Sequence, residues 1–229
     1  MAPSVPKLVT IAIDGATHVS ALMQCPPRSK WCLVLAHGAG AGMRHPFMMA
    51  VADDLAALGI ATLRYQFPFA ERQAKRPDPP ELAQATVRAA VSMARRLAPA
   101  LPLIAGGKSF GGRMTSQAQA AAALPEVHGL AFLGFPLHPP GAPSVARAEH
   151  LFKVRIPMLF LQGTNDAFAK LALIQPLVER LGKGSALTLL QDADHSFHVP
   201  ARTGRSDTQV RTEMLTALAA WADEVLAIV

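Results

Sequence analysis

A chain of 229 residues with 51% hydrophobic and 17% charged residues can bury a full core, which excludes a disordered or coiled-coil protein. The net charge of +6 and pI of about 9.8 come from scattered cations, with Lys75-Arg76 and Arg95-Arg96 the nearest approach to a run, so no nucleic-acid partner is expected. No apolar run is long enough to span a bilayer, and Met1–Lys7 lacks a charged region leading into an apolar core. The expectation is therefore one cytoplasmic domain over residues 1–229, with no membrane partner and with Cys25 and Cys32 as reduced thiols packed in the core.

Lys7–Ile13 and Thr17–Cys25 alternate in polarity around Asp14-Gly15 and predict an N-terminal antiparallel hairpin. Trp31–Ala36 is a continuous apolar run, the pattern of a strand buried on both faces. Similar runs follow at Ile60–Tyr65, Leu101–Ala105, Gly129–Phe135, Met158–Gln162 and Ala186–Leu190. Between them, Pro46–Leu58, Glu81–Leu97, Phe110–Ala123 and Leu171–Leu181 space apolar residues three and four apart and predict helices. Thr208–Val229 closes the chain with Val210, Met214, Leu218, Trp221, Val225 and Val229 on one stripe. Two proline-rich stretches, Phe67–Pro80 and Pro136–Pro143, are expected as extended loops. Strands alternating with helices of this length predict a mostly parallel, twisted sheet with helices on both faces.

One segment carries chemistry above the rest. Gly107-Lys108-Ser109-Phe110-Gly111 follows an apolar strand and opens a helical pattern, the setting in which Gly-x-Ser-x-Gly forms a sharp turn that presents its serine off the end of a sheet. The start of the next helix offers free N–H groups to a developing oxyanion. Lys108 is expected as an exposed residue of the turn.

A serine hydroxyl needs a base to take its proton and an acid to orient that base. In the order serine, acid, histidine, the base falls after Ser109, where His128 starts a strand, His138 lies in a proline-rich loop and His150 in a helical stretch. Gln191-Asp192-Ala193-Asp194-His195-Ser196-Phe197-His198 joins the last strand to the last helix, and its position favours His195, with His198 the competitor. Asp166 ends a tight turn directly after Met158–Gln162 and is the expected acid. Asp192 and Asp194 share the histidine loop and are expected to form turns through side-chain-to-backbone bonds. The oxyanion site calls for two N–H donors: Phe110, after the serine, and a residue of His37-Gly38-Ala39-Gly40-Ala41-Gly42, with Ala39 preferred and Gly40 next. His37 is expected to brace that loop. Its glycines are out of register for a dinucleotide fingerprint, Gly107-Lys108-Ser109 lacks the free loop of a P-loop, and His195-x-x-His198 lacks a third metal ligand. No cofactor and no metal are expected.

Several segments together resemble the dienelactone-hydrolase-related α/β-hydrolases, and more narrowly the testis-expressed and non-specific-lethal-complex hydrolase-like group with its bacterial members. They are His37–Gly40, Arg64–Phe69 with Arg76–Pro79, Gly107–Met114, Phe135–Gly141, Pro157–Phe168 and Asp194–Pro200. The resemblance implies an α/β-hydrolase fold with a triad at Ser109, Asp166 and His195. Dienelactone hydrolases proper carry cysteine at the nucleophile position, where this chain has serine, so dienelactone is not the implied substrate. Some eukaryotic relatives are thought to serve as complex subunits, which keeps a non-catalytic interaction module as the rival to a carboxylic-ester hydrolase. Thioesterase, peptidase and perhydrolase chemistry use the same groups. The connection Pro136–Pro157 leaves room for one short helix near Val145–Phe152 and none for a large cap, so a shallow site walled by Phe67–Pro80 and Leu137–Pro143, taking small or short-acyl esters, is expected.

Overall fold

The computed structural model describes residues 4–228. Eight strands form one sheet in the order β1-β2-β4-β3-β5-β6-β7-β8. β1 (Lys7–Ala12) and β2 (His18–Gln24) are the expected antiparallel hairpin, and the Asp14 carboxylate closes its turn by accepting the N–H groups of Ala16 (2.8 Å) and Thr17 (2.6 Å). β2 pairs antiparallel with β4 (Ala61–Tyr65). β3 (Cys32–Ala36), β5 (Leu103–Lys108), β6 (Val127–Leu133), β7 (Met158–Gly163) and β8 (Ser185–Leu190) complete a parallel set with β4.

The strands read as apolar runs because both faces are covered. Alternate side chains of β3, β6 and β7 enter different cores: Val34, Leu130, Phe132 and Phe160 pack on one side, and Leu33, Leu35, Leu133, Leu159 and Leu161 on the other. The first face is covered by α3 (Pro80–Leu97), α4 (Phe110–Ala121) and α5 (Leu171–Leu181), through residues such as Val87, Met114 and Ile174. The second is covered by α1 (Pro46–Ala57) and α6 (Asp207–Leu226), through Met48, Val51, Met214 and Leu218. In α6, Trp221 and Val225 are half-buried at the end of the apolar stripe; Val229 lies outside the described residues. A capping box between Ser206 and Gln209 starts this helix.

Two expectations are corrected. Phe67–Pro80 is not wholly extended: Pro68–Glu71 forms a short helix, α2, and α3 begins at Pro80. Proline there occupies the first helical turn, where its missing N–H costs no hydrogen bond. Cys25 is exposed rather than in the core, because β2 ends at Gln24 and the chain turns at Pro26-Pro27; Cys32 is buried in β3, which pushes its thiol up to about 12. Pro136–Pro143 has no helix or strand, and Ala146–Lys153 is a single 3-10 helix, so no large cap covers the sheet. Among the described residues no helix is long and apolar enough to cross a membrane.

Met214 is fully buried between α6 and the sheet. Met214→Ala is expected to cost about 2–5 kcal/mol, the usual range for truncating a buried methionine, read as a lowered urea midpoint. A change below about 0.5 kcal/mol would mean that α6 is not packed in this way.

Candidate active site

The parallel strands end together at one edge of the sheet, and the site is built on the loops that leave β3, β5, β7 and β8 there. β5 stops and α4 starts with one residue between them, Ser109, which holds φ 50° and ψ −115°. A non-glycine residue in this region is strained and persists only where its surroundings enforce it. The flanking glycines allow the approach. A Cβ on Gly107 would lie 2.4 Å from the Ala36 carbonyl oxygen, and one on Gly111 would lie 2.6 Å from that of His37.

Ser109 Oγ lies 2.8 Å from His195 Nε2, and His195 Nδ1 lies 2.7 Å from Asp166 Oδ2. The structure thus brings together the three residues expected from the sequence. With Nδ1–H turned to the carboxylate, Nε2 is left as the acceptor for the Ser109 hydroxyl. The Asp166 carboxylate is buried and fully engaged: Oδ2 also accepts from Gln162 Nε2 (2.5 Å), and Oδ1 accepts the Phe168 N–H (2.7 Å). Gln162 in turn accepts the Phe135 N–H (2.9 Å), so one buried amide ties β7, the acid turn and the end of β6 together. A glutamine in the apolar run Met-Leu-Phe-Leu-Gln, four residues before the acid, was the available signal for this role.

The acid turn and the histidine loop are joined directly. Asn165 donates its backbone N–H to Ala193 O (2.9 Å) and its amide to Asp192 O (3.0 Å), and Thr164 Oγ1 accepts the Asp192 N–H (2.8 Å). Asp194 forms the expected turn, accepting from the N–H groups of Ser196 (2.7 Å) and His198 (2.9 Å). Asp192 acts differently: it takes a positive φ of 61° and works through its backbone. His198 faces away from Ser109 and pairs with the Asp207 carboxylate at 3.0 Å, which raises its pKa. The Phe168 ring lies against the His195 imidazole, centroids 4.2 Å apart. Among the described residues, no group of three or more histidine, cysteine, aspartate or glutamate side chains is placed to hold a metal ion.

The loop after β3 passes over the serine. A Cβ on Gly38 would sit 3.8 Å from Ser109 Cβ, and Ala39 lines the same cleft as Ser109. Phe110 is the first residue of α4, so its N–H has no acceptor within the helix. His37 braces the loop from below: its Nδ1 bonds the Gly38 carbonyl (2.8 Å) and its Nε2 accepts the Phe67 N–H (3.0 Å). Burial beneath Phe67 and Phe69 pushes its pKa down to about 4. His138 plays a matching part that the sequence did not disclose. Its Nε2 accepts the Lys170 N–H (3.1 Å) and its own N–H bonds Phe168 O (2.9 Å), which ties the proline-rich segment to the acid turn.

Two further expectations are corrected. Lys108 is not an exposed residue of the turn. As the last residue of β5 it alternates onto the face of Ile104, where the histidine loop packs, and its Nζ donates to His195 O at 2.5 Å. The walls also differ. Ser109 and His195 open into a cleft of about 370 Å³ bounded by Gly38–Ala41, His45, Phe47, Met48, Lys108, Phe168 and Ser196. The segments named from the sequence lie elsewhere, because their apolar side chains are needed inside: Phe67, Phe69 and Leu137 are buried. Gln66, Phe69, Ala70 and Gln73–Lys75 instead wall a second cleft of about 450 Å³ that shares Ala39–Ala41 with the first.

The sheet with its strand–serine–helix turn, and the serine, histidine and carboxylate meeting at its edge, define the class of α/β-hydrolases. Residues 29–223 match the family described as alpha/beta hydrolase domain, and the chain belongs to that family. Solved structures agree on the fold. A dienelactone hydrolase from Anabaena variabilis superposes with a TM-score of 0.74 at 20% identity, covering 98% of both chains. A serine hydrolase without a lid from Xanthomonas campestris gives 0.73 at 21%, covering 96% of both, and an esterase from Pyrococcus furiosus gives 0.71 at 15%, covering 93% of both.

The brace at His37 makes stability depend on pH. The folded protein keeps this imidazole neutral down to about pH 4, whereas the unfolded chain takes up its proton below about 6.5. The contribution is complete above that value and is lost as the pH falls toward 4. Between pH 7 and 5 the unfolding free energy is expected to drop by about 2 kcal/mol from this group, and His37→Gln, which keeps a donor and an acceptor, removes that share. Equal pH dependence in urea titrations of both proteins would refute the assignment.

Proposed function

We propose that this hydrolase cleaves small carboxylic esters through an acyl-enzyme on Ser109. The observation that carries the proposal is the continuous hydrogen-bonded chain from Ser109 Oγ through His195 to the buried Asp166, opening on an uncapped cleft. Ser109 Oγ attacks the ester carbonyl carbon while His195 Nε2 takes the hydroxyl proton. Asp166 holds the ring and stabilises the imidazolium that forms. The N–H groups of Ala39 and Phe110 receive the tetrahedral oxyanion, in line with the free helix start and the loop lying over the serine. As the intermediate collapses, the C–O bond to the alcohol breaks and His195 returns the proton to the departing oxygen. Water, deprotonated by the same imidazole, then attacks the acyl-enzyme and releases the acid. The protein would work without cofactor or metal, as a cytoplasmic enzyme on a small-molecule substrate. The esterase and the hydrolases among its structural neighbours are consistent with this chemistry.

A fluorophosphonate probe is expected to label wild-type protein at one serine and to leave Ser109→Ala unlabelled; an interaction module would not be labelled at all. Ser109→Ala is expected to lose on the order of a million-fold in kcat on an aryl acetate. Asp166→Asn, which favours the wrong imidazole tautomer, is expected to lose roughly ten-thousand-fold. His195→Ala is expected to be far worse than His198→Ala, and the reverse ranking would move the base to His198.

The cleft is open and is walled largely by Phe47, Met48 and Phe168. An acyl chain longer than this wall reaches solvent, so each further CH₂ gains much less than the roughly 0.8 kcal/mol of full burial. Along aryl esters from acetate to palmitate, kcat/KM is expected to level off or fall beyond the short chains. A steady rise to palmitate would show a deep acyl tunnel and overturn the short-acyl assignment.

A further inference from the structure

We propose that Lys108 is a positioning residue for His195: its ammonium clamps the His195 carbonyl and so holds the imidazole in line between Ser109 and Asp166. The proposal builds on the assignment of Ser109, His195 and Asp166 above.

Four contacts place it. Lys108 Nζ donates to His195 O at 2.5 Å, so the residue next to the nucleophile holds the backbone of the base. The aliphatic stem lies under the loop after β3, where a Gly38 Cβ would sit 3.7 Å from Lys108 Cγ. The ammonium sits 5.2 Å from the centre of the Phe197 ring, within the range of a cation–π contact, so it grips the histidine loop at two residues. Gly134 gives the space: a Cβ there would lie 3.1 Å from Lys108 Nζ and 3.5 Å from both Cε1 and Nδ1 of His195. The ammonium and the imidazole therefore flank one glycine.

The charged groups facing Lys108 are Asp166 from the turn after β7, and Asp194 and His195 from the loop after β8; His45 lines the same cleft from the start of α1. Burial lowers the Lys108 pKa to about 8, against the opposing pull of Asp166 and Asp194. The clamp is thus mostly charged at neutral pH and loses its charge as the pH rises past about 8. Removing the cation frees the His195 carbonyl and lets the imidazole drift out of line with Ser109, so the rate falls with little change in substrate binding.

The test compares wild type with Lys108→Met, Lys108→Gln and Lys108→Arg in two measurements: kcat and KM on an aryl acetate from pH 5 to 10, and an NMR titration of the His195 imidazole. In Lys108→Met and Lys108→Gln, kcat is expected to fall about ten- to a hundred-fold, the scale of a misplaced catalytic group, with KM within about two-fold. Lys108→Arg, which keeps a charged donor, is expected to recover part of the lost kcat, a rescue that a purely packing role would not give. In wild type, the His195 signal is expected to show a second, smaller step near pH 8 as Lys108 loses its proton. That step needs no variant, so the test survives a substitution that fails to fold. An unchanged kcat in folded Lys108→Gln, or no second step in wild type, overturns the proposal and leaves Lys108 a packing residue. If wild type neither turns over esters nor takes the fluorophosphonate label, the ester-hydrolase reading fails by itself, and the NMR titration still decides the part of Lys108.

Discussion

The active edge depends on a single backbone constraint, the left-handed turn at Ser109. A strand buried on both faces must end and a helix must begin within one residue, so the chain passes through a conformation that most side chains avoid. The turn closes only because Gly107 and Gly111 let its two arms approach the backbone of Ala36 and His37. That contact fixes the height of the serine above the sheet and sets the loop after β3 directly over it. A methyl group at either glycine would push the serine and the loop apart together.

Around this turn the protein uses buried polar side chains in place of further secondary structure. His37, His138 and Gln162 are buried, and each satisfies backbone groups of loops that have no ladder partners. Each links two loops of the active edge: the loop after β3 with Phe67, the proline-rich segment with Lys170, and the end of β6 with Asp166. The desolvation that keeps His37 neutral is the same condition that lets it accept the Phe67 N–H. Protonation would remove that acceptor and place an uncompensated charge beneath the loop after β3. The carboxylate of Asp166 accepts its donors from Gln162, Phe168 and His195, so the acid is held in place before any substrate binds.

The two clefts meet at Ala39–Ala41 and differ in character. The one holding Ser109 is apolar, with Phe47 and Met48 from the first turn of α1 and Phe168 from the turn after Asp166. The other is lined by Gln66, Gln73 and Lys75. The shape of the two clefts therefore depends on where α1 and α2 begin. Proline sets both starts, Pro46 and Pro68 each occupying a first helical position. The same proline-rich composition that reads as loop is thus what stops and starts the helices at the rim.

The order of strands and helices, the strand–serine–helix turn and the positions of Asp166 and His195 were legible in the chain, because each rests on local pattern: an apolar run, a glycine spacing, or a carboxylate or imidazole directly after a strand. Local pattern also separated His195 from His198, since only the former stands where the loop leaves the sheet edge, and His198 turns to Asp207. What the sequence could not supply was contact between segments far apart in the chain. Lys108 is a surface residue by sequence and a clamp on His195 only once β8 delivers its loop to the face of β5. Gln162 and His138 gain their roles from partners on neighbouring loops. The cleft walls went to Phe47 and Phe168 because Phe67, Phe69 and Leu137 were drawn into the core, where burying their apolar area is more favourable than lining an open cleft. Periodicity and turn chemistry act over a few residues and can be read in the chain; which side chain fills the core and which faces the substrate is a competition among distant segments, and only the packed structure decides it.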